Sequence, residues 1–481
     1  MNLKTAVGRE KAVQTIDVHK EWTNCVVTFW VMSRFVHFLG ASRDCADFRD
    51  PTAVFRMKHV FHTWMRWISS LGFILALGSC VSFEEILDMG CAVGDVTPHK
   101  AVVWVKTEGP LEVNILYTTD PLWTTHQETF VISTSAERNF TAHIPLVNLT
   151  PQTQYFYRML VSGNKPGPIC QFNTAPPMDV AAPVTFVIGG DTRKSFRPFS
   201  IMEFMRAAQP DFFIYLGDTI YADKGRTART LSDYWNKYKE NRDRFAQRLL
   251  ASTSLVVLWD DHEVDNDFTM THRRLPIGRQ AFFDNWPIRP STQDPYRLYR
   301  SFKWGKGVEV FLLDCRQYRD PQAQTMLGLE QKQWLLEQLA ASSATFKFIV
   351  SSVPFSDPRD DKWGEFPEER DDILTNIQEN KVTGVIFLAG DVHHAAVSRM
   401  PHDPAVREFI FGPLAAPMNY KVSGRESRFD FFHEDSQNYG KITVQPDGPN
   451  PSVRVEWFDV TNVLLHQLTV NDDHDYQSTP Q

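Results

Sequence analysis

Six stretches set the architecture of this chain: VTFVIGG (184–190), DFFIYLG (211–217), SLVVLW (254–259), VEVFLLD (308–314), FKFIVSSV (346–353) and GVIFLAG (384–390). None alternates apolar with polar residues, as a strand with one wet face would. Such runs belong to strands covered on both faces, which requires a layered α/β fold. Between them lie three predicted helices, FRPFSIMEFMRAA (196–208), LSDYWNKYKENRDRFAQRLLA (231–251) and GLEQKQWLLEQLAAS (328–342). The segment VRVEWFDV-TN-VLLHQLTV (453–470) is expected to form a hairpin around a two-residue turn. With 481 residues, 42% of them hydrophobic, the chain can fill two or three domains.

Residues 89–176 follow a different pattern. Short strand-like runs (AVVWVKT, EVNILYTT, ETFVIST, QYFYRMLVSG) separated by turn residues predict a fibronectin-like β-sandwich. A Pro- and Ala-rich stretch, NTAPPMDVAAP (173–183), reads as the linker to a second domain over 183–481. The six cysteines show no CxxC spacing, which argues against a zinc knuckle. Cys91 and Cys170 fall near the first and last strands of the sandwich, as a disulfide in an oxidising compartment or as two buried thiols.

The N-terminal region suggests export. From Met57, Lys58 and Arg66 precede an apolar stretch at 68–77 that is too short to span a bilayer comfortably. It ends Leu77-Gly78-Ser79-Cys80, similar to a bacterial lipobox. Residues 57–80 therefore read as a signal peptide with Cys80 as a lipid anchor, and the protein as exported to the periplasm or cell surface. Residues 1–56 lack clean periodicity and read as a doubtful extension ahead of a start at Met57. A net charge of −8 without a long basic run offers no footprint for nucleic acid. Nothing in the sequence decides the oligomeric state.

Four of the buried runs end in an acidic motif: GGDTR (Asp191), GDTIYAD (Asp218), WDDHE (Asp261) and GDVHH (Asp391). Strand ends of layered α/β sheets line one crevice, so these motifs are predicted to meet. Carboxylates gathered there with His393 and Tyr221 cannot all stay ionised without a compensating cation. Oxygen ligands with imidazole suit Fe, Mn, Zn, Mg or Ca rather than copper(I). A calcium loop of the EF-hand type does not fit DDHEVDND, because its sixth and twelfth positions hold Asn266 and His272. Asp261 and His262 are the residues expected to face metal, with Glu263, Asp265 and Asp267 bound to backbone amides or arginines.

GDTIYAD, WDDHEVDND, LDCRQYRD and GDVHHAAVSR resemble, in order and spacing, the PhoD-like alkaline phosphatase and phosphodiesterase family of the metallophosphoesterase superfamily. VGDVTPHKAVVWVKTEGP and LTPQTQYFYR are similar to that family's N-terminal domain, so the resemblance covers residues 89–420. It implies a calcineurin-like four-layer αββα domain, preceded by the sandwich, with two or more metal ions. By this resemblance Asp218 bridges two ions, and Tyr221, Asp191 and His393 complete the first site. The Tyr221 phenolate there implies Fe(III). Asp261 and Asp391 would bind the second ion, which is divalent (Ca, Mn, Zn or Mg). This chain departs from the pattern in carrying Asp191 where many relatives have Cys, Arg193 where the superfamily has His, and Ser351-Ser352 where a His or amide is common. The departures imply a second site that is weaker or takes a different metal. The twin-arginine export signal typical of the family is not visible.

The expected reaction is hydrolysis of phosphate monoesters or diesters by a metal-bridging hydroxide, with no Ser or Cys nucleophile. His262 would protonate the leaving oxygen and Arg193 would clamp a phosphoryl oxygen, unless it forms an ordinary salt bridge. Two alternatives stand beside this reading. One is phospholipase-like cleavage of lipid or cell-wall diesters; the other is a catalytically inactive surface-binding protein. Among lesser candidates, Asp314 and Arg316 read as an internal ion pair, Cys315 as a buried small side chain, and Trp363 and Phe366 as a pocket mouth or surface packing. His394 neighbours a proposed ligand.

Overall fold

The structure, a computed structural model, describes residues 89–161, 165–401, 403–419, 421–471 and 476–478. The expectations for residues 1–56 and 57–80 lie outside the described residues. All described residues fall within one compact unit, Ser82–Gln481.

Two mixed sheets face each other. One has ten strands, with Val184–Gly189, Phe212–Tyr215 and Ser254–Val257 parallel at its centre. The other has seven, with Val308–Leu312, Phe346–Ser351 and Val385–Ala389 parallel within it. Alternate side chains explain why these runs are apolar throughout. In the first sheet Phe186, Ile188 and Ile214 point inward to meet Val310, Phe348 and Leu388 of the second. Val187, Phe213 and Leu255 point outward under helices, as do Phe311, Ile349 and Phe387 on the far side. The result is four layers, αββα. Phe186 shows the packing: its ring stacks on Phe212 at 4.7 Å and meets Phe348 edge-on at 5.4 Å. Truncating such a residue to Ala costs about 3–5 kcal/mol.

The N-terminal sandwich is joined to this core through a shared sheet. Cys91–Gly94 pairs in parallel with Ser254–Val257, and Lys100–Lys106 and Thr141–Val147 extend the ten-stranded sheet. Val103 and Val105 face the sandwich core, whereas Trp104 faces the helices and donates Nε1–H to the Asp284 carbonyl at 2.8 Å. Glu112–Thr118 and Gln154–Val161 lie in the opposing sheet. Cys91 and Cys170 form a disulfide that ties the two sandwich sheets together. Of the two sequence readings of these thiols, the structure holds the bonded one.

Three local expectations need correction. The long helix at 231–251 is two helices, Leu231–Glu240 and Arg244–Leu250. The break places the Arg242 guanidinium 4.4 Å over both the Trp104 and Trp286 rings, and Asp243 caps the second helix through the amides of Phe245 and Ala246. The C-terminal hairpin joins Ser452–Asp459 to Leu464–Asn471 through four residues rather than two. Asp459 Oδ1 accepts from the amides of Thr461 and Val463, and that side-chain turn takes the place of a tighter one. Helices Leu275–Asn285 and Pro367–Glu379 were not anticipated: Pro276 and Gly278 in the first read as breakers, and apolar positions are sparse in the second.

Candidate metal centre

Each acidic motif follows a central strand. Asp191 and Asp218 end neighbouring strands of the first sheet, and Asp391 ends Val385–Ala389 of the second. Asp191, Asp218 and Asp391 have φ of 62°, 51° and 67°, and His393 has 57°. Asp tolerates this left-handed region better than most residues, and the turn swings the side chain off the strand and into the crevice. The Gly-Asp pairing has a steric reason at Gly217 (φ 107°), where a Cβ would sit 2.7 Å from the Asp260 nitrogen. Gly412 plays a similar part, since a Cβ there would meet Asp191 Oδ2 at 2.7 Å.

The side chains converge as a chain of overlapping clusters. Asp191, Asp218 and His393 bring ligand atoms within 4.8 Å of one another; so do Asp218, Asp261 and His262, and then Asp260, Asp261 and Asp391. Tyr221 Oη lies 3.1 Å from His393 Nε2, which is 3.4 Å from Asp191 Oδ1. Asp218 thus belongs to two clusters at once. The first position fits a metal ion well. Both Asp191 carboxylate oxygens are buried without a hydrogen-bond partner, as is Asp261 Oδ1. Burial first, and then the charges of Asp261, Asp260, Glu263 and Asp191, push the Asp218 carboxyl well above the usual carboxylate range. Burial and then Asp218 likewise push the Tyr221 phenol up. Such a group of donors ionises together only around a cation.

The second position is more complex. Asp218, Asp261 and Asp391 could hold a divalent ion, but the Lys362 ammonium already pairs with Asp391 and lies 2.9 Å from Asp361 Oδ2. Ser352, in the place expected of a ligand, donates to Asp260 Oδ1 at 2.7 Å. Asp260 in turn is gripped by buried Arg316, with Nε at 2.6 Å from one oxygen and Nη2 at 3.0 Å from the other. The same guanidinium reaches Asp361 at 2.7 and 3.2 Å. Arg316 therefore pairs with Asp260 and Asp361, not with Asp314, whose carboxylate accepts from Trp259 Nε1 at 2.9 Å. Lys362 and Asp361 carried no motif signal in the sequence, because a Lys beside acidic residues usually marks a solvated loop.

The rest of DDHEVDND divides as follows. Glu263 is buried and accepts from the amides of Asp218, Thr219 and Asp260 and from the Thr219 hydroxyl, so it braces the loop that carries Asp218. Asp265 pairs with Arg274, and that side chain also donates to the Ala228 carbonyl at 3.0 Å. Asp267 departs from expectation: it joins Asp261 and Asp361 in an acidic cluster instead of meeting an arginine. Burial, then the charges of Asp361 and Asp261, push its carboxyl up to about 6.

His262 lies at the inner edge of the centre. Its Nε2 is 3.9 Å from Asp218 Oδ2, and its Nδ1 is 2.6 Å from Asp223 Oδ1. Burial disfavours the imidazolium, but Asp261 and then Asp223 outweigh it and raise the ring to about 9. Asp223, the last residue of GDTIYAD, had no role in the sequence reading. Arg193 holds its guanidinium 5.9 Å from the Tyr221 ring centroid. Trp363 and Phe366 are core residues, not a pocket mouth; Trp363 stacks on Phe355 at 4.1 Å. Cys315 is buried as expected. His394 is buried against Phe429 and Phe432.

Facing mixed sheets with carboxylates at their strand ends define a metallophosphoesterase fold. The structure superposes on that of PhoD with a TM-score of 0.73 at 20% identity, over 84% of this chain and 93% of that one. Against purple acid phosphatase PPD1 from yellow lupin the TM-score is 0.61 at 13% identity, over 80% and 74%. The PhoD-like phosphatase family profile matches residues 188–450, and the profile of the PhoD-like phosphatase N-terminal domain matches residues 81–176. The chain belongs to the PhoD-like phosphatase family. It is 26% identical over 379 residues to alkaline phosphatase D of Bacillus subtilis (strain 168), covering 63% of this chain and 64% of that relative, just under two thirds of its length. Purple acid phosphatase 15 of Arabidopsis thaliana is 25% identical over 213 residues, or 41% of this chain and 38% of that protein.

Proposed function

We propose that this protein hydrolyses phosphate esters at a centre held by Asp191, Asp218, Tyr221, Asp261, Asp391 and His393. The observation that carries the reading is Asp218, buried and shared between two adjoining ligand clusters. Tyr221, Asp191 and His393 would hold one ion, with a phenolate that favours Fe(III). Asp261 and Asp391 would hold a divalent one, such as Ca, Mn, Zn or Mg. When bound, the ions neutralise phosphoryl oxygens and activate the attacking water.

The chain's own residues do the remainder. His262, held at Nδ1 by Asp223, delivers a proton from Nε2 to the leaving oxygen. Asp223 occupies Nδ1 and so fixes which nitrogen faces the substrate. Arg193 donates to a non-bridging oxygen of the bound phosphoryl group. Export agrees with the Cys91–Cys170 disulfide, a bond that persists in oxidising compartments.

Elemental analysis of the natural protein, paired with assays on p-nitrophenyl phosphate and bis(p-nitrophenyl) phosphate, tests the reading. Bound metal and chelator-sensitive turnover are expected, and the faster substrate assigns the monoester or diester preference. Turnover indifferent to chelator in a metal-free protein would overturn the account.

A further inference from the structure

The helix break at Asn241–Asp243 buries a cation that no carboxylate pairs with among the described residues. Arg242 lies between the Trp104 and Trp286 rings, 4.4 Å from each centroid. Those π-faces offset part of its desolvation, but they accept no hydrogen bond from the edge of the guanidinium. Nη2 reaches the Asn285 carbonyl at 2.7 Å, whereas Nε and Nη1 are buried without a partner. Asp243, next in the chain, turns its oxygens to the amides of Phe199, Phe245 and Ala246 instead. Burial draws the guanidinium down to about 9, which leaves it charged at neutral pH.

Arg242 lines a cavity of about 10 Å³, room for one guest near the size of a water molecule. Every residue around it is buried. Two other lining residues bring unpartnered buried atoms, Tyr238 Oη and Trp286 Nε1. The three nitrogens can only donate, and the hydroxyl can donate as well. Dry cavities are apolar, yet this one gathers donors around a positive charge. A water molecule would need acceptors for both of its hydrogens, whereas a small anion accepts from every side. Phosphate or sulfate, with four oxygens around a central atom, is too large for the space.

We propose that this cavity binds one small monovalent anion of the halide class, such as chloride, among Arg242, Tyr238 and Trp286. The site shares no residue with the ligand clusters of the metal centre but adjoins their backbone. Thr219, on the cavity wall, follows Asp218 directly. Asn241, also on the wall, donates through Nδ2 to the carbonyls of Thr192 at 2.6 Å and Thr219 at 2.8 Å. The anion neutralises the buried guanidinium and steadies the two segments that present Asp191 and Asp218.

Thermal unfolding of the full chain, dialysed free of halide, tests this in sodium chloride, bromide or gluconate at matched ionic strength. Wild-type Tm is expected to rise by about 2 °C in chloride and bromide relative to gluconate, saturating with concentration. Arg242→Met is expected to erase the difference between chloride and gluconate. Tyr238→Phe keeps the ring and should raise the chloride concentration at half-effect by about threefold or more. That variant decides the question if Arg242→Met does not fold. Crystals grown in bromide should show an anomalous peak beside Arg242. Equal Tm in chloride and gluconate, an undiminished halide effect in either variant, or no bromide in the cavity would overturn the inference. None of these readouts depends on turnover, so the phosphoesterase reading stands or falls separately.

Discussion

His262 Nδ1 meets Asp223 Oδ1 across 2.6 Å, while Nε2 of the same ring lies 3.9 Å from Asp218 Oδ2. One nitrogen is thereby committed to a carboxylate outside the ligand clusters, and the other faces the centre. The pair shifts in opposite directions. Asp223, despite burial, is lowered to about 2 by His262 and Lys224, and the ring is raised to about 9.

Because the imidazolium is present below its raised pKa and lost above it, an acid role ties activity to the lower side of that pKa. Asp223→Asn removes one source of the rise. The alkaline limb of the kcat/KM profile is expected to move to lower pH, with the acid limb unchanged. His262→Ala should lower kcat about 10²–10⁴-fold on esters with poor leaving groups and less with p-nitrophenolate. Profiles on the two ester types would check both.

Asp218→Asn is expected to change sign with metal loading. Without ions, replacing a carboxyl pressed by burial and by its acidic neighbours should stabilise the protein by about 1–3 kcal/mol. With ions, it removes a shared ligand, and both metal content and turnover should collapse. Thermal unfolding with and without chelator, alongside elemental analysis, would show the crossover. Stability that moved the same way in both conditions would remove the shared-ligand role.

Lys362→Met would strip Asp391 and Asp361 of their ammonium and leave buried charge uncompensated. A loss of roughly 3–5 kcal/mol is expected. Added Ca²⁺ or Mn²⁺ should restore the variant more than it stabilises the wild type, because the vacated cation position can then be filled by an ion. Melting curves across a titration of each ion would measure this.

Reduction of Cys91–Cys170 should cost about 4.5 kcal/mol for its separation of 79 residues. Because Cys91–Gly94 pairs with Ser254–Val257, the loss is expected to shift one common unfolding transition rather than release the sandwich separately. Urea unfolding followed by tryptophan fluorescence and by circular dichroism would show whether the two probes stay coincident.

The acidic motifs were legible in the sequence because each follows a near-continuous apolar run, a local signal that also foretells burial on two faces. Asp191, Asp218, Asp261 and Asp391 are accordingly where the layered fold should bring them. The break at Asn241–Asp243 had no such signal. It depends on Arg242 finding Trp104, far away in the chain, and helical periodicity alone favours one continuous helix.

The sequence by itself determined the layering and the end of the sheets at which the charges gather, since both follow from which runs are apolar and what succeeds them. Tertiary structure decided how those charges are compensated. Arg316 reaches past Asp314 to Asp260 and Asp361, Lys362 reaches Asp391, and Asp223 selects a nitrogen of His262. These pairings join segments that periodicity and composition treat as independent. Partner choice among buried charges depends on angstrom-scale geometry, because the electrostatic gain must exceed a large desolvation cost and does so only at short range.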